Sequence, residues 1–185
     1  MSAAGAYRLH EGAATVDALA AVRDYAMKPY VDIDAAGFGG RREPDGHWTD
    51  PIVGVLEYAQ RIVSTPGMRD GLYWAALAGE AESPLGPLFG DDQPGDGYNG
   101  YRFRVLKAQG PNARGGAYDY RIKGRMTAGF ALVAWPVRYG DTGIMTFVLS
   151  HDGRLLEKDL GPGTDAAARA MRRFDPDTSW QAVAP

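Results

Sequence analysis

Gly100–Gly161 reads GYRFRVLKAQGPNARGGAYDYRIKGRMTAGFALVAWPVRYGDTGIMTFVLSHDGRLLEKDLG. Short apolar runs cut by glycine turns predict an antiparallel sheet over residues 100–160. From Tyr101 to Ala108, Tyr101, Phe103 and Val105 alternate with Arg102 and Arg104, the period-two pattern of a half-buried strand. Ala117 to Met126 is expected to pair with it across the loop Gly110–Gly116. Phe130 to Trp135 is nearly continuous apolar text, which predicts a central strand. Ile144 to Ser150 and Arg154 to Leu160 are joined at Asp152-Gly153, where glycine supplies the positive φ of a tight hairpin.

Outward from the sheet, the text turns helical. Val16, Leu19, Ala20, Val22, Ala26 and Met27 recur at spacings of three and four, and Pro29 ends that pattern. Asp50-Pro51 is a helix start, with Asp50 as cap and Pro51 where a missing N–H costs nothing. Ile52, Val55, Leu56, Ala59, Ile62 and Val63 then form one stripe that stops at Ser64–Gly67. A last short helix is expected from Asp165 to Phe174, capped by Thr164. Helices followed by strands predict an α+β fold: N-terminal helices packed on a four- or five-stranded antiparallel sheet, with a short C-terminal helix. The expected organisation is a disordered or frayed 1–14, then one domain over 15–185. Within it the helical part covers 15–66, a long loop 79–100, the sheet 100–160 and the C-terminal helix 164–174.

The chain has 185 residues, a net charge of −3 and no cysteine. Disulfides, thiolate zinc sites and cysteine nucleophiles are therefore excluded. The charge balance argues against a general nucleic-acid binder, which needs a basic stripe to displace counterions. No apolar run approaches the ~20 residues of a membrane-spanning helix. The opening MSAAGAYRLHEG shows no basic region followed by an apolar core, so no export signal is visible in this chain.

Ser150-His151-Asp152 has the residue types of a hydrolase triad. Neighbours at a strand end point in opposite directions, so the three are read as ordinary polar residues before a turn. His10, His47 and His151 have no metal-ligand spacing. No phosphate-loop or nucleophile-elbow motif is present. The acidic loop Asp91–Asn99 is the candidate metal site. Asp91, Asp92, Asp96 and Asn99 offer oxygen donors on flexible backbone, the donor type that calcium takes; no other cofactor is expected. Arg102, Arg104, Arg121, Lys123 and Arg125 would share a solvent face of paired strands that either attracts an anionic partner or is an ordinary polar sheet face. Tyr73, Trp74, Tyr98, Tyr101, Phe103, Tyr118, Tyr120, Trp135, Tyr139 and Trp180 are core candidates, with a sugar, peptide or lipid groove as the other use.

The strings EYAQRIVSTPGMRDGLYW, ESPLGPL, GYRFRVLKAQG, GGAYDYRIKGRMTAGFALVAWPVRYGDTGIMTF, DGRLLEKDLG and FDPDTSW resemble the bacterial family DUF2950, a domain of unknown function, over Ala21–Trp180. The resemblance implies an exported envelope protein, periplasmic or secreted, with its signal removed. It supplies no catalytic residues. A looser resemblance links GYRF, AWP, GDTG and the Asp152-Gly153 turn to the globular heads of pilins and pseudopilins, some of which hold calcium in a loop beside the sheet. The expectation is therefore a non-enzymatic module that binds or scaffolds a protein or envelope component. Two alternatives stand beside it. One is a periplasmic hydrolase of carbohydrate or cell-wall material, using carboxylates among Glu57, Glu80, Glu82 and Asp119. The other is a calcium-stabilised structural module.

Overall fold

The computed structural model describes residues 41–42, 48–49, 58–66, 71–74 and 100–183. The expected frayed start, the helix after Thr15 and the loop up to Asn99 lie outside the described residues. Two short pairs come first in the chain. β1 (Arg41–Arg42) pairs antiparallel with β2 (Trp48–Thr49), and β3 (Arg61–Val63) pairs in parallel with β4 (Gly71–Tyr73). Next are β5 (Tyr101–Leu106), β6 (Ala108–Gln109), β7 (Tyr118–Asp119), β8 (Arg121–Ile122) and β9 (Arg125–Met126). Then follow β10 (Ala131–Pro136), β11 (Met145–Ser150), β12 (Leu155–Asp159), α1 (Thr164–Ala170) and β13 (Gln181–Ala182).

The main sheet has five antiparallel strands in the order β13-β12-β11-β10-β5. All six residues of β10 are buried, as its unbroken apolar text requires of a strand covered on both faces. Pro136 closes β10 opposite Tyr101, at a strand end where a missing N–H does least harm. Registry places Arg102, Arg104, Val133, Trp135, Thr146 and Val148 on one face. Tyr101, Phe103, Val105, Leu132, Ala134, Phe147 and Leu149 share the other. The Tyr101 and Phe147 rings lie 5.8 Å apart, and the core continues into Ala59, Leu72 and Tyr73.

α1 lies on the first face. Asp165 in its first turn accepts from Arg102 at 3.0 Å, from the Trp135 indole at 3.0 Å and from Arg169 at 2.8 Å. At the other end, the Arg104 guanidinium donates to the carbonyls of Ala168, Arg169 and Met171. Ala168 O also accepts the Met171 N–H and Arg169 O the Arg172 guanidinium, so one arginine on the sheet reinforces the closing of the helix from below. The same guanidinium sits 5.8 Å from the Trp135 ring centre. The two β5 arginines are thus structural, and β5 is covered on both faces.

The α+β expectation is corrected. Among the described residues the protein is mostly β, with one short helix, and no N-terminal helix packs on the sheet. The stripe ending at Ile62 and Val63 fits a helical period, yet Arg61–Val63 is a strand. Its exposure alternates, with Ile62 turned inward and Arg61 and Val63 outward. Stiff β-branched neighbours and pairing to Gly71–Tyr73 override the helical spacing. The likeness to pilin heads, drawn from GYRF, AWP, GDTG and the Asp152-Gly153 turn, is not confirmed: the N-terminal helical cover it implied is absent among the described residues.

Three further details differ from expectation. α1 ends at Ala170, before Phe174, because Phe174 is drawn into backbone bonds with Ala108 and Gly110 and is buried there. Thr164 lies inside the helix, its hydroxyl donating to Gly161, and Gly163 is the cap residue. The turn at Asp152-Gly153 spans three residues: Gly153 donates to Ser150, Ser150 donates to Arg154, and only Gly153 among the three has positive φ, at 81°. That is a type I turn closed by a left-handed glycine, the usual three-residue hairpin loop.

Candidate functional site

Between β5 and β10 the chain leaves the sheet for Lys107–Gly129 and returns. This excursion is built from two-residue strands. β6 pairs with β7, and β8 pairs with β9 around the turn Lys123-Gly124. Lys123 and Gly124 both have positive φ, 52° and 82°, the pattern of a type I′ hairpin turn. Asparagine normally occupies the first position, because a lysine in the left-handed region costs about 1–2 kcal/mol. Lys123 thus stands in the turn that closes the hairpin.

The excursion has five basic residues, Lys107, Arg114, Arg121, Lys123 and Arg125, against one acid, Asp119, in a chain of net charge −3. Arg121 grips Asp119 through two hydrogen bonds at 3.0 and 2.7 Å. Those bonds, with one from the Arg121 backbone, hold the Asp119 carboxyl down to about 2. Among the described residues the exposed large apolar side chains are Ile122 at 56%, Val63 at 43% and Tyr118 at 37%. Two of these lie on the excursion. The third is on β3, which begins one residue after Gln60, and Gln60 donates to the Gly124 carbonyl at 2.9 Å. Exposed apolar area and positive charge therefore coincide on the excursion and the adjoining β3.

At its base the excursion is fastened by a polar and aromatic corner. The Tyr120 phenol donates to Gln109 at 3.1 Å, and the Gln109 amide donates to the carbonyls of Arg114 and Gly116 at 2.7 Å each. Burial, with Tyr118 and Asp152 nearby, pushes the Tyr120 phenol well up, so it stays a neutral hydrogen-bond donor. The His151 ring meets Tyr120 edge-on at 5.3 Å and packs so close to Gly129 that a Cβ there would sit 2.8 Å from His151 Nδ1. Gly129 has φ of 145°, so this close approach requires glycine on two counts.

His151 Nδ1 is buried with no hydrogen-bond partner, while Nε2 lies 3.4 Å from the Tyr118 hydroxyl. A buried N–H without an acceptor costs more than a bare lone pair. We therefore assign the proton to Nε2, facing Tyr118 Oη, which leaves the Tyr118 O–H directed to its surroundings. Ser150 Oγ donates to Asp152, not to His151. The residues of the row Ser150-His151-Asp152 do not form a serine–histidine–aspartate relay.

Other predicted residues separate. Arg102 and Arg104 face α1, whereas Arg121, Lys123 and Arg125 lie on the β8–β9 hairpin, so the supposed single basic face is two. Asp119 is exposed and ion-paired. Glu57, Glu80 and Glu82 lie outside the described residues, as do Asp91, Asp92, Asp96 and Asn99. Among the described residues no three acidic or histidine side chains are arranged to hold a metal ion. No helix among them is long and apolar enough to cross a membrane. Sequence reading missed the Lys123-Gly124 turn. A glycine between cations was its only signal.

The family model of DUF2950, described as a protein of unknown function, matches residues 46–183. The chain belongs to this family. The match includes the sheet, the excursion and α1. No curated protein and no solved structure matches the chain.

Proposed function

We propose that this protein is a non-enzymatic binding module of the bacterial envelope, periplasmic or secreted, that presents the Lys107–Gly129 excursion to a partner. One observation carries the reading: the excursion combines the exposed apolar side chains Ile122 and Tyr118 with a local excess of positive charge, while the corner at its base is locked by internal hydrogen bonds. A sheet whose central strands are buried on both faces supplies a mount, and a short hairpin beside it supplies the contact surface. Envelope location rests on the family resemblance. Calcium binding by Asp91, Asp92, Asp96 and Asn99 is a separate proposal. A melting temperature unmoved by chelator or added calcium would exclude it, since a ligand of the native state must raise that temperature.

The test is site-specific photo-crosslinking of the intact protein in envelope preparations. A photoreactive residue replaces Ile122 at the tip, or Asp141 on the exposed turn after β10 as control. The proposal predicts saturable labelling of an envelope component from position 122 and little from position 141. Equal or absent labelling from both positions would overturn it.

A further inference from the structure

We infer that the β8–β9 hairpin docks on an anionic phospholipid surface. The inference rests on the binding-module reading above and names the partner of the same surface. Two observations favour a bilayer over a soluble polyanion. First, Ile122 is the most exposed large apolar side chain among the described residues and sits between Arg121 and Lys123. A soluble polyanion gains nothing from an exposed isoleucine, whereas the headgroup–acyl boundary takes up its side chain. Second, Tyr118 projects at 37% exposure with its ring against Tyr120 and its hydroxyl beside His151. An aromatic ring with an apolar body and a polar tip suits a membrane interface. The charge of the excursion, five basic residues against one acid, sets the sign of that surface as anionic.

The neighbouring β3 extends the same edge. Gln60 is bonded to Gly124, and Arg61 and Val63 follow with their side chains exposed. Lys123 is held in a left-handed conformation at the tip, where asparagine would fit with less strain. Insertion is shallow: a short hairpin presents one isoleucine beside its turn, with its cations at headgroup level. Binding is therefore reversible and salt-sensitive.

The experiment is co-sedimentation of the intact protein with vesicles. One set contains equal parts phosphatidylglycerol and phosphatidylcholine, and the other phosphatidylcholine alone. Soluble polyphosphate serves as competitor. Binding is expected to the anionic vesicles only, and to be lost at about 0.5 M salt, where exposed charges are screened. Lys123→Asn places an Asn-Gly pair in the turn, so the fold is retained or strengthened while affinity falls about fivefold for the lost charge. Ile122→Ser keeps every charge and lowers vesicle affinity about tenfold. Melting curves confirm that both variants are folded.

Absence of binding to anionic vesicles at low salt overturns the inference. So does an Ile122→Ser variant with unchanged vesicle affinity, or polyphosphate binding that is tighter than vesicle binding and indifferent to Ile122. A protein that ignores vesicles yet crosslinks a protein partner from position 122 retains the binding-module reading and loses the lipid assignment.

Discussion

The sheet and the excursion are written in the same vocabulary, short β text punctuated by glycine, and they serve opposite ends. β10 and β11 are six-residue strands, paired on both sides and almost wholly buried. β8 and β9 are two-residue strands, paired as strands only with each other, and both β8 residues are exposed while Met126 of β9 is buried. Length and burial separate the two. A long ladder covered on both faces gains stability from every side chain it buries, whereas a two-residue ladder can only hold a turn in place. The sheet therefore fixes the fold, and the excursion, anchored by buried Tyr120 and Met126, leaves its exposed side chains available for contact with something else.

The contrast is breakable at several points. Trp135 is 4% exposed, spans the sheet face under α1, and anchors Asp165 and Arg104. Trp135→Ala should cost about 3–5 kcal/mol in chemical denaturation, the range for emptying a large aromatic site. Arg104→Met retains most of the packing but removes the charged donor shared by the carbonyls of Ala168, Arg169 and Met171 at the end of α1. A loss of about 1.5–3 kcal/mol is expected, the range for hydrogen bonds to a charged group, with reduced helical signal in circular dichroism. An Arg104→Met protein as stable as the parent would mean that α1 is closed by water instead.

Acid titration is a finer probe of the same helix seat. The bond from Arg169, then that from Trp135, holds the Asp165 carboxyl below its usual range, with Arg102 adding its charge. A carboxyl that titrates lower in the folded state stabilises fully above its unfolded value of about 4 and loses that contribution as pH falls through the lowered folded value. Asp165→Asn should thus flatten the acid limb of stability against pH, with no new loss at alkaline pH. An unchanged acid limb would remove Asp165 from the account. The smallest effect belongs to the excursion. Ile122→Ser should shift denaturation by no more than about 0.5 kcal/mol, as for other surface changes, while altering binding. A large loss of stability would show that Ile122 is part of the core.

Much of the sheet was legible because its signals are local. Unbroken apolar text from Phe130 to Trp135 marks a strand covered on both faces, and Asp-Gly marks a turn. What was not legible depends on distant partners. Arg102 and Arg104 read as a polar face, because the helix that uses them lies about sixty residues further along the chain. Ile52–Val63 has helical spacing, and only pairing with Gly71–Tyr73 shows its last three residues to be a strand. Phe174 looks like a helical residue until Ala108 and Gly110 claim its backbone. At the candidate site, the basic residues of the hairpin were visible as types. Their separation from the β5 arginines was not, since a lysine in a left-handed turn carries no familiar signature.

Hydrogen exchange resolved by residue compares the two regions directly, because it reports the free energy of opening each one. Amides of Leu132–Ala134 and Phe147–Leu149 should exchange only when the whole protein unfolds. Those of Ile122–Arg125 should exchange through local opening, orders of magnitude faster, with no loss of the sheet. Hairpin amides as slow as those of β10 would place both regions in one cooperative unit and contradict the division of the molecule into a mount and a presented surface.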